Sequence, residues 1–411
     1  GVLTTGANIT FAKTLNGAAN NAQAVTINAG TNGVVLISGT IGNTAPLSTL
    51  TLTNSYGATF SSAVTTGTSV VLSDTVAGQT IRFADNLSTP VLTTTANGYH
   101  LELLGTTTNV SAANTATTFN NTGNLVLGNG VGDTLTFAGG LTATAPAAIS
   151  AAGTINTSNT AMSLGDSNTA LTLADHLTLN TTGGNASAGG SLTLGGAVNG
   201  TTANTQSLTL NAGSTGAVSV LGSVGQTTAL NTLTLTHSNG ATFSSPVSTG
   251  TEVVLSNTVA GQTIRFADNL STPVLTTTAN GYHLELLGTT TNITGTSGTL
   301  NPQAKSAARS AFESAKQRFF GHLLTGMKTP TLIRAIEADL AAVVVAVAEQ
   351  AERADRLLRG TPGIRSLLAD RSLAPSVDGL VDAIGAAIAL ALAVAVIIGA
   401  AIGKVVAHFR R

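Results

Sequence analysis

The sequence predicts a mainly β fold: a right-handed parallel β-solenoid over residues 1–300, followed by an α-helical tail with one transmembrane helix. Three observations carry this expectation. Short runs of alternating apolar residues recur about every ten positions through the first 300 residues, with Gly, Asn, Asp, Ser or Ala between them. One long block occurs twice. The composition then changes abruptly after Leu300.

The runs include Leu50-Thr-Leu52, Val70-Val-Leu72, Thr80-Ile-Arg-Phe83, His100-Leu-Glu-Leu103, Thr134-Leu-Thr-Phe137, Leu177-Thr-Leu179 and Ser207-Leu-Thr-Leu210. A β-sandwich array would also consist of short strands, but it needs larger core residues and more aromatics, and residues 1–300 hold only seven Phe and three Tyr. A solenoid stacks like on like, which suits small β-branched residues inside and Thr, Ser and Asn outside. At about 25 residues per coil, about twelve coils would form a rod near 60 Å long. Alternation places Ile81, Phe83, Leu101 and Leu103 inside, with Arg82, His100 and Glu102 outside.

The duplicated block spans 48–110 and 231–293, and within it Thr75–Asn109 and Thr258–Asn292 are identical over 35 residues at an offset of 183. An array tolerates such copying far better than a single catalytic site does. The offset implies a whole number of coils, so the pairs Arg82/Asp85 and Arg265/Asp268 are expected to recur on one side of the rod.

Composition narrows the function. Charged residues are only 9% of the chain, and residues 1–300 carry Lys13, Arg82 and Arg265 against nine acids. No clustered Lys/Arg surface with interleaved aromatics is present, so nucleic acid is not an expected partner. There is no Cys, hence no disulfide or thiolate site. Gly1 opens the chain without Met, which fits either a removed signal peptide or a chain boundary.

The binding-face candidates are Arg82, Asp85, His100 and Glu102, repeated as Arg265, Asp268, His283 and Glu285. Carboxylates with a cation on one strand face have the chemistry of a glycan-cleaving site. Duplication of the whole set favours exposed ion pairs instead. Asp133, Asp166 and Asp175 are the unduplicated acids a polysaccharide-active enzyme would use, and each sits in a turn-like context. Gly128-Asn-Gly-Val-Gly-Asp133 has some glycine and aspartate character of calcium-binding β-rolls, but a lone carboxylate supplies too few ligands, and a turn is expected. No catalytic residue, cofactor or metal is assigned.

These Thr-, Asn- and Gly-rich strands with their verbatim repeat resemble the β-solenoid regions of bacterial filamentous-haemagglutinin and adhesin-type surface proteins. The resemblance implies export, a cell-surface or extracellular location, and attachment or matrix building. Stacked Thr/Asn faces would offer many weak contacts to glycans, surface proteins or neighbouring rods, and the open sheet edges at the solenoid's ends would allow end-to-end self-association.

The tail divides into a helical stalk, 301–377, and a hydrophobic C-terminal part, 378–411. Ala308, Phe312, Ala315 and Phe319 share one face of a first helix, and Leu332–Leu358 reads as a second. Within 304–342, AFESAKQRFFGHLLTGMKTPTLIRAIEADLAA resembles a helical segment of the Strawberry-notch-type helicase-like NTPases. The chain has no GxxxxGK[ST] loop, so that resemblance brings no nucleotide site with it. Residues 383–403 form 21 uncharged positions followed by Lys404, His408, Arg410 and Arg411, a length that crosses a bilayer with the basic end in the cytoplasm. Ala391, Ala395, Gly399 and Gly403 would line a close helix–helix contact. A buried Ala-rich helix and a cleaved sorting signal fit the same stretch.

Overall fold

The computed structural model describes residues 5–183 and 188–295, together with Ala338, Ala341 and Ala342, which are helical and exposed. The chain divides into two compact units, Gly1–Lys305 and Ser306–Arg411. Apart from these three residues, the stalk helices lie outside the described residues, as do the stretch 383–403 and its Ala391, Ala395, Gly399 and Gly403. Among those described, no helix is long and apolar enough to cross a membrane.

Thirty short strands stack as a parallel β-solenoid in which every pairing between named strands is parallel, so a sandwich is excluded. Each coil visits three faces in turn. Face 1 is one continuous ladder of inward positions: Ile9, Val35, Ala58, Ile81, Leu101, Leu125, Ile149, Leu171, Val198, Val224, Val247, Leu270 and Thr291. Face 2 carries Leu87, Thr108, Leu135, Ile155, Leu179, Leu210, Leu235 and Leu255 in register. Face 3 begins with Ile27, Leu52, Leu72 and Thr94. It continues through Thr117, Leu141, Met162, Leu192, Val218, Ala241, Ile264 and Leu284. The join is made where Asn120 N–H donates to Thr94 Oγ1 at 2.7 Å.

The coils are unequal. Successive rungs of face 1 are 20 to 27 residues apart, as in Ile81 to Leu101 and Leu171 to Val198. The variation is absorbed in the corners. Some strands run round a corner without a break, as Val64–Thr75 and Val247–Thr258 do, while others are separated by turns that only glycine can make. At Gly42 and its copy Gly225, φ is 68° and 67°, and a Cβ at Gly42 would lie 2.1 Å from Thr65 O.

Alternation decides burial as expected: Ile81, Phe83, Leu101 and Leu103 are at most 1% exposed. Each fully buried Leu or Phe contributes roughly 1.5–3 kcal/mol, so a core running the whole length of the stack dominates stability. The core is richer in Leu than in small β-branched residues, and it also contains Thr. Inward hydroxyls satisfy one another between coils: Ser55 with Thr75 at 2.8 Å, and Thr66 donating to Thr89 at 2.7 Å.

The duplicated block repeats these contacts. Ser238 meets Thr258 at 2.8 Å, Thr249 donates to Thr272 at 2.7 Å, and the ring stacks Phe60–Phe83 and Phe243–Phe266 both have centroids 4.6 Å apart. Yet the copies occupy different faces. Ile81 belongs to face 1 and Ile264 to face 3; Leu87 belongs to face 2 and Leu270 to face 1. The offset of 183 therefore corresponds to seven complete coils and two further faces, not to a whole number of coils. Because the coils vary in length, an offset in residues does not fix a phase around the axis.

Candidate binding faces

In a run such as Leu177-Thr178-Leu179 the flanking leucines point into the core, which leaves the central threonine outside. Stacking turns these single positions into columns. On face 2, Thr107, Thr134, Thr154, Thr178, Thr209 and Thr234 follow one another on six successive rungs. On face 3, Thr118, Thr142, Ser163, Thr193, Ser219 and Thr242 do the same. Neighbouring strands lie about 4.8 Å apart, so each column presents a hydroxyl at that repeat. Unlike the inward pairs, none of these twelve hydroxyls has a hydrogen-bond partner among the described residues.

Asn residues two positions further along face 2 behave differently. Asn180 Oδ1 accepts from Thr182 N–H at 3.1 Å, Asn211 Oδ1 accepts from Gly213 N–H at 3.1 Å, and Asn180 Nδ2 donates to Asn156 Oδ1 at 3.2 Å. Their amides hold the corner together. The free surface chemistry is thus mainly hydroxyl.

The charged candidates do not assemble as paired in the sequence. Arg82 Nε donates to Glu102 Oε2 at 2.6 Å, one coil away, and not to Asp85. Asp85 Oδ1 accepts from the adjacent Asn86 N–H at 2.7 Å and so shapes its corner. His100 Nδ1 accepts from Asn124 N–H at 2.7 Å, again one coil on, and is not hydrogen-bonded to Glu102 on the same strand face. The second copy repeats the pattern, with Arg265 bound to Glu285 at 2.7 Å and Asp268 to Asn269 N–H at 2.7 Å. Arg82 and Glu102 lie on face 1, whereas Arg265 and Glu285 lie on face 3, where His283 is exposed on the last described rung. The eight residues therefore form two separate ion pairs with local turns, and no common surface.

The three acids singled out for chemistry are likewise engaged by backbone N–H donors, Asp133 and Asp166 in turns, whereas Asp175 lies not in a turn but at the corner within the continuous strand Ala170–Asn180. Asp133 Oδ2 accepts from Asn129 and Gly130 N–H at 2.8 and 2.9 Å. Asp175 Oδ1 accepts from His176 N–H at 2.7 Å. Asp166 Oδ1 accepts from Asn168 N–H at 2.8 Å, and this backbone donor holds its carboxyl below the usual aspartate range. No group of three or more His, Asp or Glu placed to hold a metal occurs among the described residues.

Only Thr178, Thr193, Thr209 and Thr234 of the twelve column residues stand in a Leu-Thr-Leu triplet, and a triplet carries no label for its face, so the columns were not legible as such. No protein-family model, no curated protein and no solved structure matches the chain.

Proposed function

We propose that the chain is a structural and adhesive surface protein: a β-solenoid rod displayed outside a bacterial cell, held by the helix 383–403 with the C-terminus in the cytoplasm. The two columns of unpartnered hydroxyls carry this reading. Each hydroxyl contributes little alone, but six in rigid register give a multivalent surface whose avidity exceeds any single contact. Scarcity of charge along the columns suits neutral partners such as glycans or the surfaces of other proteins. The reading is non-catalytic: Asp133, Asp166 and Asp175 each accept a local backbone N–H and do not converge on a common site. Self-association of rods, end to end or through the C-terminal helix, would extend the assembly into filaments or matrix.

Membrane fractionation combined with protease shaving of intact cells tests the proposal. The protein should fractionate with membranes, and the repeats should be released by external protease. Repeats that resist shaving in a protein that stays soluble would overturn it. Glycan cleavage that is lost when Asp166 and Asp175 are replaced by Asn would instead make it a polysaccharide-active enzyme.

A further inference from the structure

We infer that face 3 between Thr118 and Thr242 is a docking track for an extended, uncharged β-linked glycan lying parallel to the rod axis. The inference rests on the adhesive reading and names its ligand.

Repeat distance is the first argument. The column offers one free hydroxyl about every 4.8 Å. A hexose unit in an extended chain advances by nearly one such rung, so each sugar can meet one hydroxyl. A protein strand laid along the same track presents like-facing side chains only about every 6.6 Å and falls out of step. Charge is the second argument. All six column positions are Thr or Ser, and Arg265, which follows Thr242 on the next rung, is paired with Glu285, so polyanions such as nucleic acid or uronic-acid polymers find no row of cations here and polycations no row of carboxylates.

A groove beside the column supplies an anchor. It has a volume of about 530 Å³ and includes Thr193 of the column together with Asp166, Gly195, Leu221, Gly222 and Ser223. Its floor has no side chains at the glycines because stacked turns leave no room for them. A Cβ on Gly195 would lie 2.4 Å from Gly165 O, and one on Gly222 would lie 2.1 Å from Gly196 C. The turn carrying Asp166 has six residues between Leu164 and Leu171, whereas the next two, before Val198 and Val224, have three each. The longer turn therefore stands above its neighbours and walls one end.

Leu221 is 49% exposed and offers an apolar contact to a pyranose face. Asp166 uses one oxygen on Asn168 N–H and keeps further acceptor sites for sugar hydroxyls. An apolar contact with a few placed polar groups beside it is the usual make-up of a small-molecule site.

The test is a pull-down of the full chain with microcrystalline cellulose, using polygalacturonate as the anionic control. Wild-type protein should bind cellulose and not polygalacturonate. A face 3 variant, T142E/T193E/S219E, should lose affinity at least about tenfold, because three of six contacts are removed together. The matching face 2 variant, T154E/T178E/T209E, should change it less than about twofold. Circular dichroism and thermal melting establish that both variants fold, and Leu221→Ser gives a milder check with an expected loss of about threefold.

Absence of cellulose binding by the wild type, or equal losses in both triple variants, overturns the track. So does sedimentation showing that face 3 instead holds two copies of the chain together. If cells still adhere through the protein while cellulose binding is absent, the track alone fails. If both are absent, the adhesive reading fails with it.

Discussion

The two copies of the duplicated block share 35 identical residues but not their surroundings. In the first copy Tyr99, Leu101 and Leu103 are fully buried between coils. In the second, Tyr282 and Leu284 are only partly buried and Leu286 is 36% exposed, and among the described residues no further rung of face 3 stacks on them. Internal geometry is nevertheless the same, down to the ring stacks and hydroxyl pairs, although one copy is turned by one face relative to the other. Conformation in this fold is thus encoded within about one coil, while burial is conferred by the next coil. Substituting the same residue in both copies separates the two contributions.

The largest effect should come from the leucines. Leu101→Ala removes a fully buried side chain and is expected to cost about 3 kcal/mol, whereas Leu284→Ala should cost about 1 kcal/mol. Denaturant unfolding of the two single variants measures the difference, and equal costs would mean that burial does not distinguish the copies.

Next comes alkaline pH. Burial pushes the Tyr99 phenol up to about 12, and raises Tyr282 as well, from an ordinary value of 10.0. A folded-state value above the unfolded one means that the folded form favours the neutral phenol. The associated stability is complete below pH 10 and is lost as pH rises toward 12. Phenolate absorbance in Tyr99→Phe and Tyr282→Phe variants should assign the late-titrating group to Tyr99.

The smallest effect belongs to the ion pairs. Arg82→Ala and Arg265→Ala should each cost less than about 1 kcal/mol and should match within error, since both arginines are 48% exposed. A clearly larger cost at either position would mark that pair as part of a buried network.

Much of this was legible in the sequence. The alternation in Thr80-Ile-Arg-Phe83 placed Ile81 and Phe83 inside and Arg82 outside, because a strand has a period of two whatever sheet it joins. Asp133 in its Gly-Asn-Gly setting read as a turn, and it is one. Contacts between coils were not legible. Arg82 pairs with Glu102, 20 residues on, and the nearer Asp85 attends to its own corner. Alternation gives a direction for each side chain but not a stacking partner, because the partner depends on how many residues each corner absorbs. For the same reason the phase of the second copy could not be read from its offset.

The duplication has a consequence for the gene. Recombination between the two identical 35-residue stretches would excise 183 residues and still join each strand to the kind of neighbour it already has. The shortened protein would keep its local packing while losing seven coils and two further faces. A single deletion could therefore shorten the solenoid by roughly 35 Å, at about 4.8 Å per coil, without disturbing the contacts on which each strand depends.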